Sequence, residues 1–361
     1  MHPVPLSIHG RGAAENPAGR FERLDVELEP EAPEPGEHRP PTIYLRDSSR
    51  SVIASNDSPD VGFSHSINPY RGCSHGCIYC YARPTHEYLG FSAGLDFETR
   101  ILVKTDAPAL LRKELSSKRW RPVVLGMCGV TDAYQPVERK LQLTRQCLQV
   151  LASFRNPVSI ATKNHLVTRD IDILSQMARR DLAAVSISIT TLDQDLTRIM
   201  EPRTAVPRRR LDAIRELSAA GVPVSVLVAP VVPGLTDHEM PAIMEAAAAA
   251  GATNAGYEIL RLPHGVKDLF ESWLSRHMPD RKEKVLSRIR QIRGGELNDS
   301  RFGSRMRGEG VFADHMRTVF DLCRRRFGLA GGHRELSTAH FRRPDEPPGL
   351  FGPCDDGGAS S

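Results

Sequence analysis

Short apolar runs and amphipathic stretches alternate along the middle of the chain. Runs at 122–127, 158–161, 184–189, 222–229 and 254–260, most of them rich in Val or Ile, end in polar turn residues, the pattern of buried strands. Between them, 138–154 sets Leu141, Leu143, Cys147, Leu148 and Leu151 along one helical side, and 169–180, 208–220 and 239–250 read the same way. Such regular alternation predicts parallel strands joined by right-handed helical crossovers. Polar residues gather at the C-terminal ends of the strands, where an α/β barrel carries its site. No internal repeat of fixed period appears. The stretch 263–328 reads as helical and Arg-rich, with Leu269, Trp273, Leu286, Ile289 and Ile292, then Phe312, Met316, Phe320 and Cys323 as its apolar positions.

Composition adds the boundaries. Residues 1–42 hold eight prolines and the run Glu29-Pro-Glu-Ala-Pro-Glu-Pro-Gly-Glu37, too little apolar surface to offset the entropy of ordering. This segment is expected to be a disordered tail, as is 342–361, which is rich in Pro, Gly and Asp. Between them a core is expected over 43–262 and a helical basic extension packed on it over 263–341. The chain of 361 residues is 40% hydrophobic and 25% charged, which excludes a wholly disordered, collagenous or coiled-coil protein. No apolar run is long enough to span a membrane, and the first residues lack the basic head and apolar stretch of a secretion signal. A cytoplasmic location and no membrane partner are therefore expected. Net charge is only +4, but its distribution is uneven. From Arg261 to Asp345 there are 19 Lys and Arg against 11 Asp and Glu, a local +8 that leaves −4 for the rest.

The chemistry lies in the cysteines. Seven is an odd number, against a disulfide framework, and three of them crowd into Arg71-Gly72-Cys73-Ser74-His75-Gly76-Cys77-Ile78-Tyr79-Cys80. Three thiolates spaced C-x3-C-x2-C on one tight loop can hold three corners of a [4Fe–4S] cluster and leave one iron open. Gly72 and Gly76 suit a loop that must wrap closely. The competing reading is a structural zinc, with His75 or His86 as fourth ligand beside Cys73, Cys77 and Cys80, in a non-catalytic protein that binds nucleic acid.

The stretch from Ser66-Ile67-Asn68-Pro69-Tyr70 through Cys80-Tyr81-Ala82-Arg83-Pro84-Thr85-His86 resembles the radical S-adenosylmethionine (SAM) superfamily. Within it, the chain is similar to bacterial proteins grouped with spore photoproduct lyase and called DNA repair photolyases. The likeness extends over about 45–330 and includes Thr131-Asp132-Ala133-Tyr134-Gln135-Pro136-Val137-Glu138, Ala161-Thr162-Lys163 and the loop from Arg301 to Gly310.

The resemblance implies a partial (β/α)6 TIM-like barrel, a [4Fe–4S] cluster on Cys73, Cys77 and Cys80, and SAM chelating the open iron. It implies reductive cleavage of SAM to a 5′-deoxyadenosyl radical that abstracts a hydrogen atom, with an external electron donor of flavodoxin or ferredoxin type. Tyr79 takes the position near adenine. Thr131 with Asp132, or Glu138, takes the place that binds the SAM amino group, although Asp and Glu also favour the first turn of a helix. Lys163 matches a lysine that binds the SAM carboxylate. Ser188, in Ser186-Ile187-Ser188-Ile189-Thr190, is the expected ribose contact, since period two puts the three hydroxyls on one face. Arg203 either reaches the SAM carboxylate or is a solvated surface residue. Cys128, at the end of a strand, is a candidate hydrogen-atom donor, or a small buried apolar residue. Arg301, Arg305, Arg307 and Arg324-Arg325-Arg326 suggest a phosphate-backbone partner. A thiolating or methylating enzyme acting on protein or RNA is a third reading.

Overall fold

The computed structural model describes residues 10–21, 40–127, 129–331 and 335–344. Ten strands appear: β1 Ile43–Arg46, β2 Ile53–Ser55, β3 His65–Ile67, β4 Tyr70–Arg71, β5 Arg100–Val103, β6 Leu125–Met127, β7 Val158–Thr162, β8 Ala183–Ser188, β9 Val224–Val231 and β10 Asn254–Ile259. Seven of them form one sheet in the order β10-β9-β8-β7-β6-β3-β2. From β3 to β10 every pairing is parallel, and β2 adds an antiparallel edge. Six parallel strands in sequence order, with β3 and β10 unpaired to one another, make the expected partial (β/α)6 barrel. β1, β5 and β4 form a separate small sheet.

The strands read in the sequence are the central ones. β9 is Val-Ser-Val-Leu-Val-Ala-Pro-Val, a near-continuous apolar run, because a parallel strand covered on both faces has no solvated side. The helices α1 Leu95–Thr99, α2 Ala107–Ser116, α3 Glu138–Leu141, α4 Leu143–Phe154, α5 Ile171–Ala178, α6 Gln194–Met200, α7 Pro207–Ala219 and α8 Met240–Ala249 make the crossovers. In α4, Leu143, Cys147, Leu148, Leu151 and Phe154 are buried at helical spacing, and Arg155 ends the helix in the left-handed region. Pro207 opens α7, where its missing N–H costs nothing.

The C-terminal region is helical: α9 Val266–His277, α10 Pro279–Ile292, α11 Ser304–Arg307 and α12 Val311–Arg326. α12 covers β10 and α8. Its Phe320 ring lies 4.5 Å from Tyr257 of β10, and Ala313, Met316, Phe320 and Cys323 join the main core.

Parts of both expected tails are described, and these residues pack on the fold. Residues 10–21 pack behind the cysteine loop, with Arg11 and Ala13 buried. Glu98 supplies the reason: its carboxylate accepts the Gly12 and Ala13 amides at 3.1 and 2.8 Å. At the other end, Arg342 and Arg343 donate to backbone carbonyls of Phe154, Ser153, Ser117 and Trp120. Residues 1–9, 22–39 and 345–361 of those expected tails lie outside the described residues.

Candidate active site

Strands β6 to β10, through their C-terminal ends or the turns that follow, deliver residues to one cavity of about 260 Å³ at the C-terminal face of the sheet. The cysteine loop between β4 and α1 contributes Cys73, His75, Cys77, Tyr79, Cys80 and Tyr81. Thr131 and Asp132 follow β6; Thr162 and Lys163 close β7; Ser188 ends β8. Ala229 and Pro230 come from β9, and Glu258 and Arg261 from the end of β10.

The loop's path is fixed by buried partners. Gly72 and Gly76 have φ of +79° and +70°, and a Cβ on Gly76 would sit 2.6 Å from a Glu98 oxygen. Only glycine meets both conditions. Arg83, fully buried, donates to the Cys77 carbonyl at 3.0 Å and to Glu98 at 2.5 Å. The Cys73 amide donates to Phe97 O at 2.9 Å, and the Ser74 amide to Gln135 Oε1 at 3.0 Å.

Cys73, Cys77 and Cys80 are free thiols. Burial pushes each thiol pKa up. Asp132 raises that of Cys73 further and Glu201 that of Cys77, while Lys163 pulls Cys77 and Cys80 back down. Such thiols lose their protons on ligation, when metal charge replaces them. Among the described residues no three His, Cys, Asp or Glu side chains converge as a single ion requires. Neither proposed fourth zinc ligand completes a set with the cysteines, and His86 does not line the cavity. His75 Nε2 lies 3.0 Å from Asn164 Nδ2 and its Nδ1 3.4 Å from Asp132, and His86 donates to Arg100 O at 2.8 Å. A cubane takes one thiolate per iron, so it needs thiols ranged around a cavity rather than meeting at a point. The three cysteines line one cavity in that way, and they fit the cluster.

Lys163 projects into the cavity, its Nζ donating to Ser188 Oγ at 2.9 Å, Thr190 Oγ1 at 2.8 Å and Ala229 O at 2.8 Å. Ser188, also expected, is held by the same carbonyl at 2.9 Å. The Tyr79 hydroxyl donates to Glu201 and lies 3.2 Å from Thr190 Oγ1. Thr131 donates to Gly72 O at 2.7 Å. Asp132 faces the cavity, but its oxygens accept from the Thr162 hydroxyl and from the Tyr134 and Lys163 amides at 2.8–3.0 Å. Burial alone would raise its pKa; His75 and these donors outweigh burial and hold it below the usual range. With its lone pairs spent, this carboxylate braces the loops after β6 and β7.

Two expected ligands are elsewhere. Glu138 is fully buried away from the cavity, where it accepts Tyr70 OH at 2.5 Å, the Thr144 amide at 3.1 Å and Arg169 at 2.9 Å. It heads α3 and packs; it does not line the site. Arg203 is exposed and donates to Thr42 Oγ1 at 3.2 Å. Cys128 lies outside the described residues, as does Cys354; Cys147 and Cys323 are buried packing residues.

The arginine loop is engaged internally. Arg301 pairs with Asp299 and Glu309, each at 2.9 Å. Arg305 pairs with Asp60 at 2.5 Å, and Arg307 lies over the Tyr257 ring at 3.9 Å. Sequence reading also missed Asn68 and Glu201, and offered His75, which lines the cavity, only as a zinc ligand. Asn68 Oδ1 accepts the Gly129 and Val130 amides at 2.9 and 3.2 Å. Glu201 stands two residues from Arg203, and nothing in composition says which of the two turns inward.

The family model described as the Radical SAM superfamily matches residues 67–247. An uncharacterized protein of Mycobacterium tuberculosis is 39% identical over 232 residues, 64% of this chain and 67% of its own length. An uncharacterized protein of Methanocaldococcus jannaschii is 30% identical over 185 residues, covering 51% and 66%. Among solved structures, spore photoproduct lyase complexed with dinucleoside spore photoproduct superposes with a TM-score of 0.58 at 16% identity, over 79% of each chain. A mutant of that lyase with bound AdoMet and the same dinucleoside gives the same TM-score, over 79% of this chain and 78% of its own. At such identity the likeness is one of fold.

Proposed function

Because this chain belongs to the radical SAM superfamily, with the family's [4Fe–4S] cluster and SAM as its cofactors, we propose that it is an enzyme of hydrogen abstraction acting on nucleic acid. When bound, the cluster supplies one electron to the sulfonium of SAM, giving methionine and a 5′-deoxyadenosyl radical. Cys73, Cys77 and Cys80 would hold the cluster. Lys163 and Ser188 line the cavity; by exchanging one of their internal partners they would offer a cation to a carboxylate and a hydroxyl to a ribose. The apolar flank made by Val61, Phe63, Val130 and Leu260 excludes water from a site where a radical must meet only its substrate.

The observation that carries this reading is the meeting of the three thiols with Lys163 and Ser188 around one cavity at the strand ends. The nucleic-acid part rests on the rim. Tyr81 is 45% exposed, with the Arg261 guanidinium 4.6 Å above its ring, an aromatic and cationic platform of the kind on which bases stack. Glu258 lines the same rim and has no hydrogen-bond or ion-pair partner among the described residues, so it is open to a base N–H. The basic C-terminal third supports a polyanionic partner less strongly, since Arg301 and Arg305 are already paired. An external one-electron donor completes the proposed reaction.

Anaerobic reconstitution tests this. The protein should take up iron and sulfide, and with dithionite it should convert SAM to 5′-deoxyadenosine, with turnover rising on addition of a DNA or RNA oligonucleotide substrate. Cys73→Ala, Cys77→Ala and Cys80→Ala should each abolish cleavage. Cleavage surviving in the triple variant refutes the assignment; cleavage that no oligonucleotide stimulates or consumes refutes the nucleic-acid part.

A further inference from the structure

Three short links join the cysteine loop to the end of α6 and the residues just after it. The Ile78 amide donates to Met200 O at 3.1 Å, the Arg203 amide donates to His75 O at 3.1 Å, and the Tyr79 hydroxyl donates to Glu201. Glu201 is 1% exposed. The same carboxylate accepts Thr190 Oγ1 at 2.6 Å, Lys163 Nζ at 3.0 Å and the Arg210 guanidinium. Arg210 is itself 1% exposed and grips the backbone carbonyls of Ser188 and Ala205 at 3.0 and 2.7 Å. Glu201 thus touches the cysteine loop on one side and the ends of β7 and β8 on the other.

Lys163 has three protons and finds acceptors at Ser188, Thr190, Ala229 and Glu201, all within 3.0 Å. An ammonium on a long flexible stem is held in one direction only when its donors are spent in this way. A buried anion is also what a buried cation, Arg210, and a half-buried one, Lys163, require as their neighbour. A neutral residue at 201 could keep the hydroxyl contacts but not this balance.

We infer that Glu201 is a positioning residue for SAM. Through Tyr79 and Lys163 together it fixes the spacing between the cysteine loop and the strand ends. The inference rests on the radical SAM reading and adds to it a residue that does not itself line the cavity but holds two that do.

The test uses reconstituted holoenzyme, with iron and sulfide content, the SAM dissociation constant by calorimetry, and the electron paramagnetic resonance spectrum of the reduced cluster with and without SAM. Glu201→Gln should keep wild-type iron and sulfide and the wild-type spectrum without SAM. It should bind SAM about tenfold or more weakly, the scale of one charge-assisted hydrogen bond lost at the ligand, and should lack the SAM-induced spectral change at a concentration that saturates wild type. Tyr79→Phe, which keeps the ring and removes only the tether, should show a smaller loss in the same direction. A folded Glu201→Gln protein binding SAM within twofold of wild type overturns the inference. If that variant does not fold, wild-type affinity in Tyr79→Phe overturns it instead. A wild-type protein that takes up no cluster or binds no SAM overturns the radical SAM reading itself, and the inference with it.

Discussion

A histidine beside the cysteine loop shows how burial sets chemistry at the scale of one residue. His86, fully buried, has its pKa pulled down to about 4, first by burial. In the unfolded chain it titrates near 6.5. Between those values the unfolded state binds the proton and the folded state does not, so stability rises with pH through that window. Acidification from pH 7 to about 4 should therefore cost roughly 3 kcal/mol through this group alone. Urea unfolding at the two pH values measures it: His86→Gln should lose less stability on acidification than wild type, by that amount. Equal losses would show that His86 is hydrated in the folded protein. At the same scale, motif reading names Asp132 and gives Glu201 no role. The residue named in the motif is spent as a brace, and the unremarked carboxylate meets Lys163.

At the scale of elements, the cysteine loop is held from behind by a segment that composition assigns to disorder. Pro-rich, acidic sequence lowers the odds of a self-standing element, but residues 10–21 need none: they borrow their order from Glu98, Leu95 and Ser92, with Leu95 N–H donating to Glu15 O at 3.1 Å and Ser92 to Pro17 O at 2.8 Å. Such an interaction leaves no periodic trace, which is why it was not legible. The central strands were legible because parallel strands buried on both faces are written as Val- and Ile-rich runs. β3, only three residues long and carrying His and Ser, was not. Glu98→Ala leaves Arg83 buried without its anion and releases the Gly12 and Ala13 amides. It should cost about 3–5 kcal/mol, read as a fall in the thermal midpoint, and should shorten the lifetime of the reconstituted cluster in air. An unchanged midpoint would mean that the residues behind the loop contribute nothing to it.

For the whole molecule, the barrel is completed by residues far outside the matched family segment. Phe320 of α12 is buried against Tyr257 of β10, so Phe320→Ala opens a cavity in the main core and should destabilise by about 3–5 kcal/mol, measured by chemical unfolding. A loss below about 1 kcal/mol would make α12 an appendage rather than part of the barrel. The three cysteines, Lys163 and Ser188 were readable because the C-terminal ends of parallel strands converge on one face, so position along each run already places the side chain. The fate of Arg305 was not readable. Its partner Asp60 lies 245 positions away in sequence, and no local pattern records a pairing across that distance. Arg305→Ala should loosen the 57–63 segment at the cavity rim, seen as faster amide exchange there than in wild type, and unchanged exchange would discount the contact.

The Asp60–Arg305 ion pair spans 245 positions, and this has a bearing on biogenesis. A ribosome delivers the thiols early in translation and Arg305 only after most of the polypeptide has emerged. Residues 57–63 can therefore be clasped by this pair only once Arg305 has emerged, long after the thiols.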